Sequence, residues 1–136
     1  MPPSHIEHIG IAVANLETSI RFYEDILGLE CYAIEEVHDQ QVRTAFFRVG
    51  ETKIELLEST SPDGPIAKFI EKRGEGIHHI AFAVDHVQTA IDDAIQKELK
   101  LIDQEPRKGA EGLDIAFLHP KSTGGVLIEF CSKPAK

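Results

Sequence analysis

The chain has 136 residues, 42% of them hydrophobic, enough for one compact domain with a real core and too few for two ordinary independent ones. Its net charge is −9, and its fourteen Lys and Arg are scattered rather than gathered into a stripe, which argues against a nucleic-acid surface. The N-terminal MPPSHIEH carries no basic leader, and nowhere do about eighteen apolar residues follow one another, so a soluble, cytoplasmic protein without a membrane partner is expected.

From the N-terminus, HIEHIGIAV alternates with the period of a half-buried strand: Ile6, His8, Gly10 and Ala12 fall on one face, Ile9, Ile11 and Val13 on the other. The period then changes. Asn15 is a good helix N-cap, Leu16, Ile20, Tyr23, Ile26 and Leu27 recur at helical spacing, and Gly28 supplies a left-handed closing residue. Strand-like runs follow in LECYAIEEV, VRTAFFRVG and TKIELLES, the last two separated by Gly50 and Glu51. The unit so far is β-α-β-β-β.

SPDGPIAKFIEKRGEG reads as a connecting helix starting near Pro65, with Ile66, Phe69 and Ile70 as its apolar face. The pattern then repeats. GIHHIAFAV is a strand, HVQTAIDDAIQKEL a helix, and KLID, GLDIAFLHP and GVLIEF supply strands separated by the turn segments EPRKGAEG and PKSTGG. His79 follows His8 by 71 residues (79 − 8), and Glu129 follows Glu55 by 74 (129 − 55), so the two halves are copies of one module. The expectation is an α+β fold in a single domain, 1–136. Module one lies at about 5–60, the connecting helix at about 61–75 and module two at about 76–133, with the modules' sheets forming a curved mixed sheet around a shared cleft.

In each first strand, one face carries a histidine followed by small residues: His8, Gly10 and Ala12, then His79, Ala81 and Ala83. Such a face leaves room for something the protein does not itself supply. In the last strands, Glu55 and Glu129 stand opposite Ile54 and Leu56, or Ile128 and Phe130. Taken singly, each of these histidines and glutamates is most simply a surface or satisfied core residue. Their matching positions point instead to a shared divalent metal site of His8, Glu55, His79 and Glu129. Two imidazoles and two carboxylates suit Co²⁺, Zn²⁺, Mn²⁺ or Ni²⁺.

Other residues have plainer expectations. His78 points away from His79 toward packing or hydrogen bonding; His5, His38 and His86 read as loop, turn or cap residues; His119 is either a cleft residue or a strand end. Cys31 and Cys131 lack metal-ligand spacing and are expected to be buried reduced thiols outside the chemistry.

HIGIAV, TKIELLES, GIHHIAFAV and FLHPKSTGGVLIEF resemble, in order and over nearly the whole chain, the signature segments of the vicinal oxygen chelate superfamily and, within it, its acyl-CoA epimerases. The resemblance implies paired βαβββ modules around a metal-lined cleft, ligation by His8, Glu55, His79 and Glu129 with Co²⁺ favoured, and a homodimer in which each chain holds a whole site. It also implies epimerisation of an acyl-CoA, methylmalonyl-CoA, by removal and return of the α-proton through a metal-stabilised enediolate. One proposed family base lies where this chain has Thr44, a poor base near neutral pH; Glu129 and Glu55 are therefore the candidate catalytic pair. HPKSTGGV is similar to the family's segment at the substrate mouth, so Lys121, Ser122, His119 and Thr44 are the candidate substrate-binding residues. Lys121 offers a point charge and Ser122, Thr123, Gly124 and Gly125 offer backbone donors; a plain hairpin turn is the alternative. Rival functions are a glyoxalase I type lyase, a dioxygenase, for which a fourth protein ligand leaves too few open positions, and a non-enzymatic ligand-sequestering protein.

Overall fold

A computed structural model describes residues 2–134. The chain forms two compact units, one comprising His8–His78 and the other the remaining described residues. Both are α+β.

In the first module, β1 (His5–Ala12) leads into α1 (Leu16–Asp25), then β2 (Cys31–Val37), β3 (Val42–Val49) and β4 (Thr52–Ser59), with α2 (Pro65–Arg73) after them. β2, β3 and β4 run antiparallel in sequence, and β4 returns parallel to β1, with Gly10 beside Glu55. Asn15 caps α1 as expected, its side chain accepting from Thr18 N at 2.9 Å, and Gly28 takes φ 69° after the helix. The apolar faces explain the layering. Val13, Leu16, Ala45, Phe47 and Leu56 form one buried cluster, and Ile20 and Tyr23 of α1 pack on it.

On the other face, Ala12 meets Val42, Leu57 and Ile66, with Phe69 and Ile70 of α2 alongside. The small-residue face of β1 is thus not empty along its whole length: beyond His8 it is closed by the connecting helix. Three residues of α1 and its end, Phe22, Ile26 and Leu27, stay exposed, although helical spacing assigned the last two to the apolar stripe.

The second module repeats the order in β5 (Gly76–Ala83), α3 (Val87–Gln96), β6 (Arg107–Lys108), β7 (Asp114–Leu118) and β8 (Ile128–Ser132). β8 lies parallel to β5 and antiparallel to β7. Val84, Val87, Ala90, Ile91 and Ala116 form the buried layer between α3 and the strands. The sequence reading misplaces this module's second strand. KLID contributes only a bridge from Leu101 to Leu118, and β6 falls inside the segment read as a turn, because the Asp103 carboxylate accepts from Phe117 N at 2.9 Å and pairs with Arg107 at 3.0 Å. Gly109 permits the close approach that follows: a Cβ there would lie 2.8 Å from Ile115 Cγ2. No described helix is long and apolar enough to cross a membrane.

Candidate metal centre

Parallel pairing of first and last strand gives each module the same construction. In the first unit, alternation puts His8 and Glu55 on one side of β1 and β4, and His8 Nδ1 lies 3.1 Å from Glu55 Oε2. Both are buried, at 4% exposure each. Phe46 stands beside Glu55 in the β3–β4 register and is fully buried, so an apolar ring walls one side of the carboxylate. Lys53, two residues before Glu55 on the same side of β4, is buried at 7%.

The second unit builds its own pair. His79 Nε2 lies 3.1 Å from Glu129 Oε1, and both residues are buried. Phe117 takes the place that Phe46 has in the first module: it pairs with Glu129 across β7 and β8 and meets the His79 ring edge-on, centroids 5.5 Å apart at 83°. Cys131 Sγ donates to the other carboxylate oxygen, Glu129 Oε2, at 2.8 Å. Ala81, fully buried beside Glu129 in the β5–β8 register, packs with Ile115, Phe117 and Cys131.

Burying an imidazole beside a carboxylate twice is costly unless the charges are balanced. A neutral imidazole nitrogen beside a carboxylate is a donor pair that a divalent cation of the borderline class accepts, so the residues of each module fit such a metal. His8 and Glu55 are that pair in one module, His79 and Glu129 in the other.

The remaining sequence candidates occupy less open places. Thr44 is buried at 1% exposure, on the Phe46 side of β3. His119 acts at a strand end: its Nδ1 accepts from Lys121 N at 3.1 Å, and its own N–H donates to Lys100 O at 3.0 Å. Ser122 Oγ accepts from Lys100 N at 2.7 Å. The amides of Ser122, Thr123 and Gly125 donate to His119 O, Pro120 O and Pro120 O, so three of the four donors expected to face a ligand are spent inside the turn. The Lys121 side chain is exposed. His78 packs edge-on against Phe69, centroids 4.9 Å apart, as expected of the side facing away from His79; His86 is the N-cap of α3 and His38 opens a 3-10 turn.

Both cysteines are unbridged thiols, Cys31 half-buried and Cys131 buried. Cys131, expected to lie outside the chemistry, instead bonds the Glu129 carboxylate. Period-two alternation alone places it on the Glu129 face, and that signal was there to be used.

The family model of the Glyoxalase/Bleomycin resistance protein/Dioxygenase superfamily matches residues 7–117. The chain belongs to that superfamily. Within it, the chain is 38% identical to the human mitochondrial methylmalonyl-CoA epimerase over 125 residues, covering 91% of this chain and 71% of that protein. It is 37% identical to the ethylmalonyl-CoA/methylmalonyl-CoA epimerase of Cereibacter sphaeroides, covering 91% of this chain and 94% of that one. A solved methylmalonyl-CoA epimerase in complex with methylmalonyl-CoA and NH4+ superposes with a TM-score of 0.94 at 36% identity, covering 98% of this chain and 97% of that chain.

Proposed function

We propose that the protein is a divalent-metal-dependent epimerase that interconverts the stereoisomers of methylmalonyl-CoA. The observation that carries this reading is the repeated buried pair, His8–Glu55 and His79–Glu129 at 3.1 Å each, in a chain 36% identical to an epimerase solved with methylmalonyl-CoA. His8, Glu55, His79 and Glu129 are the proposed ligands of one ion per chain, Co²⁺ being favoured. When bound, that ion supplies Lewis-acid stabilisation of the negative charge of the enediolate.

The chain's own residues move the proton. Glu129 removes it from one face of the α-carbon and Glu55 returns one to the other face. A carboxylate is a competent general acid and base, and each of these two lies 3.1 Å from its module's histidine. Thr44, a hydroxyl at the position of a family base, does not take the second role. Phe46 and Phe117, beside Glu55 and Glu129, exclude water from the carboxylates. Lys121 meets an anionic group of the substrate as a point charge. The exposed Phe22, Ile26 and Leu27 support assembly as a homodimer, which light scattering at micromolar concentration tests.

The deciding experiment is epimerisation of one methylmalonyl-CoA stereoisomer by Co²⁺-reconstituted protein, run beside isomerisation of the hemithioacetal of methylglyoxal and glutathione. Turnover of the first alone is expected. Turnover of the second alone would assign a lactoylglutathione lyase, and a protein that binds no metal after reconstitution would point to a ligand-sequestering member.

A further inference from the structure

We propose that Cys131 is a positioning residue for Glu129: its thiol holds one carboxylate oxygen so that the other stays directed at the His79 side. The inference rests on the reading of Glu129 as ligand and base.

Three observations support it. The two oxygens of Glu129 have different partners, Oε1 at 3.1 Å from His79 Nε2 and Oε2 accepting from Cys131 Sγ at 2.8 Å. The thiol cannot easily turn away. Cys131 is 1% exposed and packed among Ala81, Ile115 and Phe117. And the contact is built in by register: residues two apart on β8 share a side, and Ala83 rather than a larger residue stands beside Cys131 in the β5–β8 pairing.

A carboxylate free to rotate presents either oxygen, or both, to an ion. Fixing one oxygen with a donor makes the geometry of the other single-valued, as groups supporting a ligand commonly do. The first module differs here. Its position matching Cys131 is Leu57 (131 − 74), which has no donor, so this thiol contact is particular to the second module.

The test uses the full-length protein with Cys131→Ser, which keeps a donor, and Cys131→Val, which fills the space without one. Co²⁺ affinity by equilibrium titration is expected to stay within about threefold in C131S and to weaken by about tenfold in C131V, within the range seen when groups supporting a ligand are removed. The kcat for epimerisation should fall in C131V with KM little changed, and recover in C131S. Infrared spectroscopy of the metal-free C31S protein gives a reading independent of folding changes at position 131. The one remaining S–H stretch should lie at the lowered frequency of a thiol bonded to a carboxylate, and move to the weakly bonded frequency in C31S/E129Q.

An S–H band at the unbonded frequency in C31S would overturn the proposal, as would parental Co²⁺ affinity and kcat in C131V. A cobalt–thiolate charge-transfer band that vanishes in C131S would make Cys131 a ligand and overturn it too. Should the parent bind Co²⁺ but not epimerise, the affinity and infrared results still decide the positioning role while the substrate assignment fails.

Discussion

The Glu58 carboxylate accepts a hydrogen bond from the backbone N–H of Leu16 at 2.9 Å, so a residue of the last strand closes the first turn of its module's helix. The other module does the same with a different side chain: Val87 N donates to Ser132 Oγ at 3.2 Å. Leu16 and Val87 are 71 residues apart (87 − 16), Glu58 and Ser132 are 74 apart (132 − 58), and these are the offsets of His8 to His79 and of Glu55 to Glu129. The repeat therefore preserves the fastening as well as the site.

Replacing Glu58 or Ser132 by Ala leaves a helix N–H without its acceptor. Each variant is expected to lose about 1 kcal/mol of unfolding free energy, the usual cost of a lost N-terminal cap. Urea denaturation measures this, and kcat should be unchanged, since neither side chain is part of the His–Glu pairs. Unaltered midpoints in both variants would mean that water replaces the cap at no cost.

The hydrogen bond from Arg43 holds the Glu17 carboxyl below the usual carboxylate range. A carboxylate whose folded pKa is lowered binds fewer protons in the native chain than in the unfolded one, so its contribution is present above the ordinary glutamate range and is lost as pH falls through the lowered value. Arg43→Gln should flatten that part of the acid-stability profile. Because Glu17 is on the surface the effect is small, and added salt should shrink it; a profile identical to the parent at low salt would remove the pair from consideration.

An ion bound by the four buried side chains proposed as its ligands would stabilise the folded chain by mass action. Metal-loaded protein at about a hundred times the dissociation constant should gain about 2.7 kcal/mol over chelator-treated protein, read as a rise in Tm. His8→Ala and His79→Ala should each lose most of this rise. The same rise in both variants would show that the ion binds elsewhere.

Glu129→Gln keeps the shape and one oxygen but removes the base. Epimerisation is expected to fall by about 10²-fold with metal still bound, while the parent incorporates solvent deuterium at the α-carbon in D₂O. With Glu55 proposed to serve the opposite face, exchange of one stereoisomer is expected to survive after net epimerisation has collapsed. Full activity in E129Q would leave Glu129 a ligand only.

Much of this molecule is legible in its sequence, and the rest is hidden for physical reasons. Asn15 is readable because its cap is local, three residues from Thr18; Glu58 is not, because it reaches Leu16 from 42 residues away. His8 and His79 stand out because strand parity puts each opposite large apolar neighbours. β6 does not, since two residues in a Gly- and Pro-containing stretch carry no period. The turn after Pro120 looks like a set of open amides until its hydrogen bonds are drawn, and those depend on the carbonyls of His119 and Pro120 folding back. Burial also escapes the pattern: Ile26 and Leu27 follow the apolar spacing of α1 and are 69% and 54% exposed.

His8 waits 47 residues for Glu55 (55 − 8), and His79 waits 50 for Glu129 (129 − 79), because each pair joins the first strand of a module to its last. During synthesis no imidazole can meet its carboxylate until that last strand has left the ribosome. An ion bound at these pairs would therefore reach a module that hydrophobic contacts have already assembled, unlike one around which neighbouring ligands in a short loop gather. Chelator-treated protein is accordingly expected to keep its fold, read by far-UV circular dichroism, and to take up added metal without refolding.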